Sequence, residues 1–286
     1  LKNHLRKICA FLPSKFVVYL DILRSYKRIL NLKNPKYYGE KIQWIKLNGQ
    51  VEKLAPLVDK YSVRKYIEEK IGAKYLPKLY NKYENPYEID YDKLPNKFVL
   101  KLNNGSGGNI ICKDKSLLDK DVASKKLNKW KKEKFYSYTK EFQYKNIKPI
   151  IVCEEYLEDE SGSLRDYKLH SFNGKVEFIE VHTDRFKDHK ENYYYPNWIE
   201  TEFRGDIKLR VDHIDKPKKL EELINLAEKL SSGFTYARVD FYIVKDKIYF
   251  GELTFTPGNG TDKFYPREWD LKIANMIDIY NYKIGY

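Results

Sequence analysis

The sequence predicts an α+β protein built from antiparallel hairpins rather than from a regular βαβ alternation. Three observations lead there. The segment ARVDFYIVKDKIYFGELTFTPGNG, from Ala237 to Gly260, reads as two strands joined by a tight Lys-Asp turn. DYKLHSFNGKVEFIEVHTD reads as a second hairpin with Asn173-Gly174 at its turn, the strongest short-range hairpin signal. Ahead of both, the chain opens on helical patterns.

The elements follow in order. Phe16, Leu20, Leu23 and Leu30 recur at helical spacing and predict a first helical region. YYGEKIQWIKLNG predicts a helix ended by Gly49, and DKYSVRKYIEEKIG another, with Asp59 near its start and Gly72 as its C-cap signal. The many lysines and arginines of these helices read as solvated faces. Docking on an anionic membrane, at about 1 kcal/mol per basic residue, is the less favoured reading. From Lys97 the pattern changes: KFVLKLNN is a strand, NNGSGG a glycine-rich turn and NIICKDK a second strand. Ser116 with Asp119 forms a capping-box signature for a helix whose Leu118, Val122 and Trp130 share a face. IIVCEEYL predicts a buried strand, LEELINLAEKLSSGF an amphipathic helix ended by Gly233, and the stretch from Trp269 to Ile279 a last helix.

The 286 residues allow one large or two ordinary domains, and 42% hydrophobic with 33% charged residues describes a soluble globular chain. A formal net charge of +13 and a pI near 9.2 point to anionic partners: nucleic acid, an anionic membrane face, nucleotides or acidic polysaccharide intermediates. Three cysteines without a CxxC pair fit a reducing compartment with neither disulfides nor a zinc site. No apolar run is long enough to cross a bilayer, and Lys15 interrupts ICAFLPSKFVVYL, which argues against a signal peptide. The expectation is a cytoplasmic protein, with a peripheral place at the inner membrane face left open by its basic helices. No specific nucleic-acid partner is expected.

The chemistry concentrates in the Ala237–Gly260 hairpin. Asp240 and Glu252 face each other across it, and two such carboxylates repel unless a cation or proton lies between them. A hard divalent ion such as Mg²⁺ favours an oxygen cage completed by water and phosphates. Arg238, two positions before Asp240, points to the same face. A solvated cross-strand charge pair is the competing interpretation. The apolar neighbours Val239, Phe241, Tyr249, Phe250 and Leu253 argue against it, because buried carboxylates require partners. Lys101 ends a strand just before Asn103, Gly105, Ser106, Gly107 and Gly108, where backbone N–H groups can approach phosphates. This is not a Walker A loop, and a plain hairpin turn would look similar. Glu154 and Glu155 close an apolar strand and suit an adenine slot or an ordinary strand end. In VHTDRFKDH, His182 and His189 suggest a metal site less than a polar loop, and Arg185 is a candidate anion contact. The lysines and aromatics of KKLNKWKKEKFYSYTK interleave as in nucleic-acid binders, but a solvated helix face is the better reading.

The order Asp-Lys, strand lysine with glycine loop, Glu-x-aromatic-Leu, Arg-x-Asp and Glu-x-x-x-x-Pro-Gly resembles the ATP-grasp superfamily. In motif order the chain is similar to D-alanine–D-alanine ligases. EKIQWIKLNG, DKYSVRKYI, LPNKFVLK, QYKNIKP, DYKLHSFNGK and YFGELTFTPG resemble more closely the TupA-like ATP-grasp family, found with teichuronopeptide and capsular polysaccharide synthesis. The resemblance runs from about Lys41 onward. It implies an ATP-grasp fold, two α+β subdomains with antiparallel sheets clasping ATP, divided at 96–157 and 158–286 and preceded by a helical region over 1–95. It implies that Lys60, Lys101 and Lys168 contact ATP phosphates, and that residues 103–108 form a mobile loop over them. Glu154, Tyr156 and Leu157 would line the adenine slot, and one of Glu158, Asp159 and Glu160 would hold the ribose. Arg238 would stabilise the acyl phosphate or tetrahedral oxyanion, and Asp240 and Glu252 would bind Mg²⁺. Thr254 stands where the superfamily commonly has Asn, which leaves a second ion in doubt. The implied activity is an ATP- and Mg²⁺-dependent carboxylate–amine ligase joining a carboxylated sugar or amino acid to an amine. Two rivals remain. A glycosyltransferase of the same pathway would need a nucleotide-sugar site, often with an Asp-x-Asp metal motif, and Asp212 and Asp215 have the wrong spacing. A basic anionic-polymer binder predicts steeply salt-dependent binding without turnover.

Overall fold

Two antiparallel sheets organise the chain, and each has its own apolar core. The computed structural model describes residues 2–158, 164–184, 188–206 and 209–285. The chain opens with helices α1 (Lys2–Phe11), α2 (Ser14–Tyr26), α3 (Tyr38–Asn48), α4 (Ala55–Val58) and α5 (Val63–Lys70). Strands β1 (Leu79–Tyr83), β2 (Phe98–Leu102) and β3 (Asn109–Cys112) follow, then α6 (Lys120–Lys131), α7 (Phe135–Thr139) and β4 (Ile151–Glu155). The rest is β5 (Asp166–Phe172), β6 (Lys175–Thr183), β7 (Lys190–Tyr194), α8 (Leu220–Ser231), β8 (Tyr236–Val244), β9 (Lys247–Thr254) and α9 (Arg267–Asn275). Among the described residues no helix is long and apolar enough to cross a membrane.

The smaller sheet has the order β1-β4-β2-β3, so an edge strand comes from the stretch before residue 96. Its core gathers Phe98, Leu100, Leu102, Ile151 and Cys153 with Leu127 from α6. The buried face of α6 is Ala123, Ser124 and Leu127, whereas Val122 is exposed, which corrects the expected stripe. The expected capping box is corrected as well. Asp119 is itself the N-cap, accepting from the Val122 N–H at 2.8 Å, while Ser116 belongs to a separate turn held by Asp114.

The larger sheet runs β7-β6-β5-β8-β9. Both predicted hairpins are present. Asn173-Gly174 and Lys245-Asp246 turn with positive φ at both central positions, the twist that two-residue hairpins favour. Leu223, Ala227 and Leu230 of α8 and Ile42 and Ile45 of α3 share this sheet's core.

Two helical expectations are corrected. In α2 the buried residues are Val17, Val18 and Ile22, and Phe16, Leu20 and Leu23 face outward. In α3 the lysines are not solvated: Lys41 Nζ donates to the Ile277 carbonyl at 2.7 Å and Lys46 Nζ to Asn259 Oδ1 at 2.7 Å. Gln43 Nε2 donates to the Asn259 carbonyl at 2.8 Å. Burial pushes the Lys46 ammonium down to about 8. The polar side chains of EKIQWIKLNG thus brace the turn at Pro257–Gly260, just beyond Glu252.

Candidate active site

Strand register builds the site. Glu180, Lys168, Asp240 and Glu252 stand abreast across β6, β5, β8 and β9. His170, Arg238 and Thr254 form the row on one side, and His182 and Asp166 lie in the row on the other. Alternation along each strand puts these rows on one face, while Val239, Phe241 and Leu253 point into the core.

Asp240 is the electrostatic centre. Arg238 grips it with two parallel bonds, Nε to Oδ1 at 2.7 Å and Nη2 to Oδ2 at 2.8 Å. Lys168 also donates to Asp240 Oδ2 and lies 2.7 Å from Asp166. Burial alone would raise the Asp240 carboxyl, but Arg238 and Lys168 outweigh it and hold it down at about 2. For Lys168, burial and Arg238 oppose its charge, and Asp166, Asp240 and Glu252 prevail, so its pKa is raised. Arg238 Nη2 reaches Glu252 Oε1 and Thr254 Oγ1, both at 3.3 Å.

A cavity of about 430 Å³ opens over this face and runs to the smaller sheet. Lys60, Lys101, Ser106, Gly107, Glu154, Asp240 and Glu252 all line it, so seven of the predicted residues converge from both sheets. Lys60 lies just before α5, and its Nζ donates to the Gly105 carbonyl at 2.7 Å, tying the glycine loop down. Burial lowers its pKa, with Glu252 pulling the other way. Gly105 has φ +105°, and a Cβ there would meet Phe135 at 2.9 Å, so glycine is required twice over. Apolar walls come from Val63, Leu76, Pro77 and Phe250.

The remaining predicted residues sit elsewhere. Asn103 is a brace: its side chain donates to Asp59 Oδ1 at 3.0 Å and accepts from the Ile150 N–H at 2.8 Å. Gly108 packs toward Leu102, away from the cavity. Tyr156 and Leu157 are not among the lining residues, and the Tyr156 ring lies under the ammonium groups of Lys97 and Lys113. Glu158 pairs with Lys97 at 2.6 Å, and Asp159 and Glu160 lie outside the described residues.

Arg64 and Asp166 also line the cavity and escaped the sequence reading. Arg64 meets Glu154 at 2.7 Å while Lys101 meets its other oxygen at 2.9 Å. A second cavity of about 250 Å³ shares Ser106 and Glu252 with the first. Lys168 and Arg238 form part of its wall, with Tyr38, His170, Glu180, His182 and Asp262. His182 is a buried strand residue, not part of a polar loop. It contacts Glu180 and shares a 2.7 Å hydrogen bond with His189, and Glu180, His182 and Glu191 place donor atoms within 4.8 Å of one another. Arg185 lies outside the described residues. One signal for these residues was available. Asp166, Lys168 and His170, like Glu180 and His182, place polar side chains at every second position of otherwise apolar strands.

The model of the family described as TupA-like ATPgrasp matches residues 40–278. The chain belongs to the TupA-like ATP-grasp family. Its fold is accordingly ATP-grasp, with the larger cavity between the two sheets and a helical region before them. Among solved structures, the chain is similar to the D-alanine–D-alanine ligase of Bacillus anthracis complexed with ATP, at 17% identity and TM-score 0.43, over 84% of this chain and 72% of that one. It is similar to the N5-carboxyaminoimidazole synthetase of Staphylococcus aureus complexed with ADP, at 14% identity and TM-score 0.41, over 71% and 46%. It is also similar to the ATP-grasp ligase PsnB complexed with minimal precursor, Mg and ADP, at 10% identity and TM-score 0.39, over 76% and 58%. No curated protein sequence matches the chain.

Proposed function

We propose that this family member is an ATP- and Mg²⁺-dependent carboxylate–amine ligase acting in capsular or cell-wall polysaccharide assembly in the cytoplasm. One observation carries the reading: Lys60, Lys101 and a tethered glycine loop from one side, and the Asp240–Glu252 pair from the other, face a single cavity. The residues suit Mg²⁺, since Asp240 and Glu252 offer only oxygen and Asp240 stays ionised throughout the physiological range. These two carboxylates, with the Thr254 hydroxyl beside them, would hold the ion, whose role is to offset phosphate charge. Lys60, Lys101 and the loop amides then orient the nucleotide phosphates. A carboxylate in the second cavity attacks the terminal phosphorus, ADP leaves, and an amine displaces phosphate from the acyl phosphate. Arg238 lines the second cavity and reaches Glu252, which both cavities share, so it can hold the developing oxyanion. The loop keeps water from the intermediate.

The test is Mg²⁺-dependent ADP release with a panel of uronic-acid sugars, amino acids and hydroxylamine, beside Asp240→Asn. A trapped hydroxamate that disappears in the variant supports the ligase. Folded protein that neither binds nor turns over ATP with any acceptor redirects the reading to sugar-nucleotide donors and a glycosyltransferase.

A further inference from the structure

We propose that α1, α2 and the turn after them form a docking surface for an anionic lipid bilayer. Exposed apolar side chains are concentrated in this stretch of the sequence. Ile8 and Phe11 on α1, Phe16, Leu20 and Leu23 on α2, and Ile29 beyond it all face solvent, with Phe11 91% exposed. In α2 the three exposed residues follow i, i+4, i+7 spacing, so they fall within roughly 60° of the helix circumference at about 100° per residue. The opposite side, Val17, Val18 and Ile22, is already committed to the protein interior. The outward stripe is therefore surplus to the fold.

Charge selects the occupant. Residues 1–39 contain nine Lys or Arg and a single acid, Asp21. That acid is turned inward, accepting from Asn259 Nδ2 at 3.3 Å. Lys7, Lys15, Arg24, Lys27 and Lys33 are exposed. On α2, Lys15 and Arg24 lie on opposite sides of the apolar stripe, about 110° and about 70° from its centre. An interfacial helix has this pattern, with apolar side chains entering the acyl boundary and flanking cations reaching back to headgroup phosphates. A neutral apolar partner would leave the cations without counter-charge, and a nucleic acid would leave the stripe without cover.

The test is flotation of the 286-residue protein with vesicles of phosphatidylcholine, with and without 30% phosphatidylglycerol, at ~0.1 M and ~0.5 M salt. The expected result is binding to the anionic vesicles that weakens with salt. Phe16→Ser/Leu20→Ser/Leu23→Ser should lower partitioning at least ten-fold. Lys7→Ser/Lys15→Ser/Arg24→Ser should lower it about 100-fold, at about five-fold per basic residue. All six positions are exposed, so unchanged circular dichroism and melting temperature confirm that the variants fold. Lys125→Ser/Lys126→Ser/Lys129→Ser on α6 removes the same charge from another exposed face and should change partitioning far less. Three results would overturn the proposal: no binding to anionic vesicles, equal loss in the α6 variant, or a dimer on gel filtration that Phe16→Ser/Leu20→Ser/Leu23→Ser abolishes. Each reads lipid or self-association without ATP, so the ligase reading stands or falls separately.

Discussion

Arg238 and Asp240 set the electrostatics of the site, and each can be tested alone. Arg238 makes two parallel bonds to Asp240 and reaches Glu252 and Thr254, a planar fork that an ammonium cannot reproduce. Arg238→Lys should therefore lower ADP release about 10²- to 10³-fold while the protein stays folded. Steady-state ADP formation beside a thermal melt separates the two effects. Asp240 also predicts a pH dependence. Its folded pKa is depressed to about 2 from a usual 3.8, so its contribution to stability is fully present above 3.8 and is lost as pH falls toward 2. The size is on the order of 2 kcal/mol. Urea titrations between pH 5 and pH 2.5 should show this loss in the wild-type chain, and a curve flat over that interval would contradict the assignment. Asp262 runs the other way: burial, with Glu180 nearby, raises its carboxyl to about 6. Its protonated form favours the folded state, so stability falls as pH rises through 6. Asp262→Asn should raise the melting temperature at pH 7 more than at pH 4.

At the scale of elements, the glycine loop is held from outside its own hairpin. Lys60 comes from the turn before α5 and donates to the Gly105 carbonyl, and the Asn103 carbonyl accepts from the Lys60 N–H at 3.1 Å. Lys60→Met removes both a cavity-lining cation and the tether. It should raise the KM for ATP at least ten-fold, with a smaller change in melting temperature. Gly105→Ala should do the same through backbone strain, because its φ of +105° and the nearby Phe135 ring both exclude a Cβ. An unchanged KM in both variants would remove the loop from nucleotide binding. The brace behind Glu252 is a second element-scale feature. Gln43 and Lys46 of α3 hold Asn259, and Thr256 donates to Glu141 at 2.6 Å and accepts from Gln143 at 2.8 Å. These contacts fix where β9 ends and hence where Glu252 sits.

On the scale of the whole molecule, the site is a seam. Arg64 and Lys101 meet at Glu154, and Asp240 and Glu252 face them across the cavity, so a bound nucleotide would touch both sheets. ATP with Mg²⁺ at 100 times its Kd should stabilise the chain by about 2.7 kcal/mol, and raise the melting temperature by about 5 °C or more. Asp240→Asn should shrink that shift, as differential scanning fluorimetry would show. The sequence by itself determined the hairpins, through Asn173-Gly174 and Lys245-Asp246, and the pairing of Asp240 with Glu252, because strand alternation and turn chemistry are local. Its ordered motifs also placed the chain in its family. Only the tertiary structure decided which face of α2 is buried, that Lys41 and Lys46 lie inside, and that Arg64, Asp166 and Glu180 join the site. Those outcomes depend on which surfaces other elements cover. Helical spacing marks an apolar stripe but cannot say what it meets. A lysine is solvated or buried according to whether a carbonyl such as that of Ile277 or Asn259, more than 200 residues away, lies within its reach.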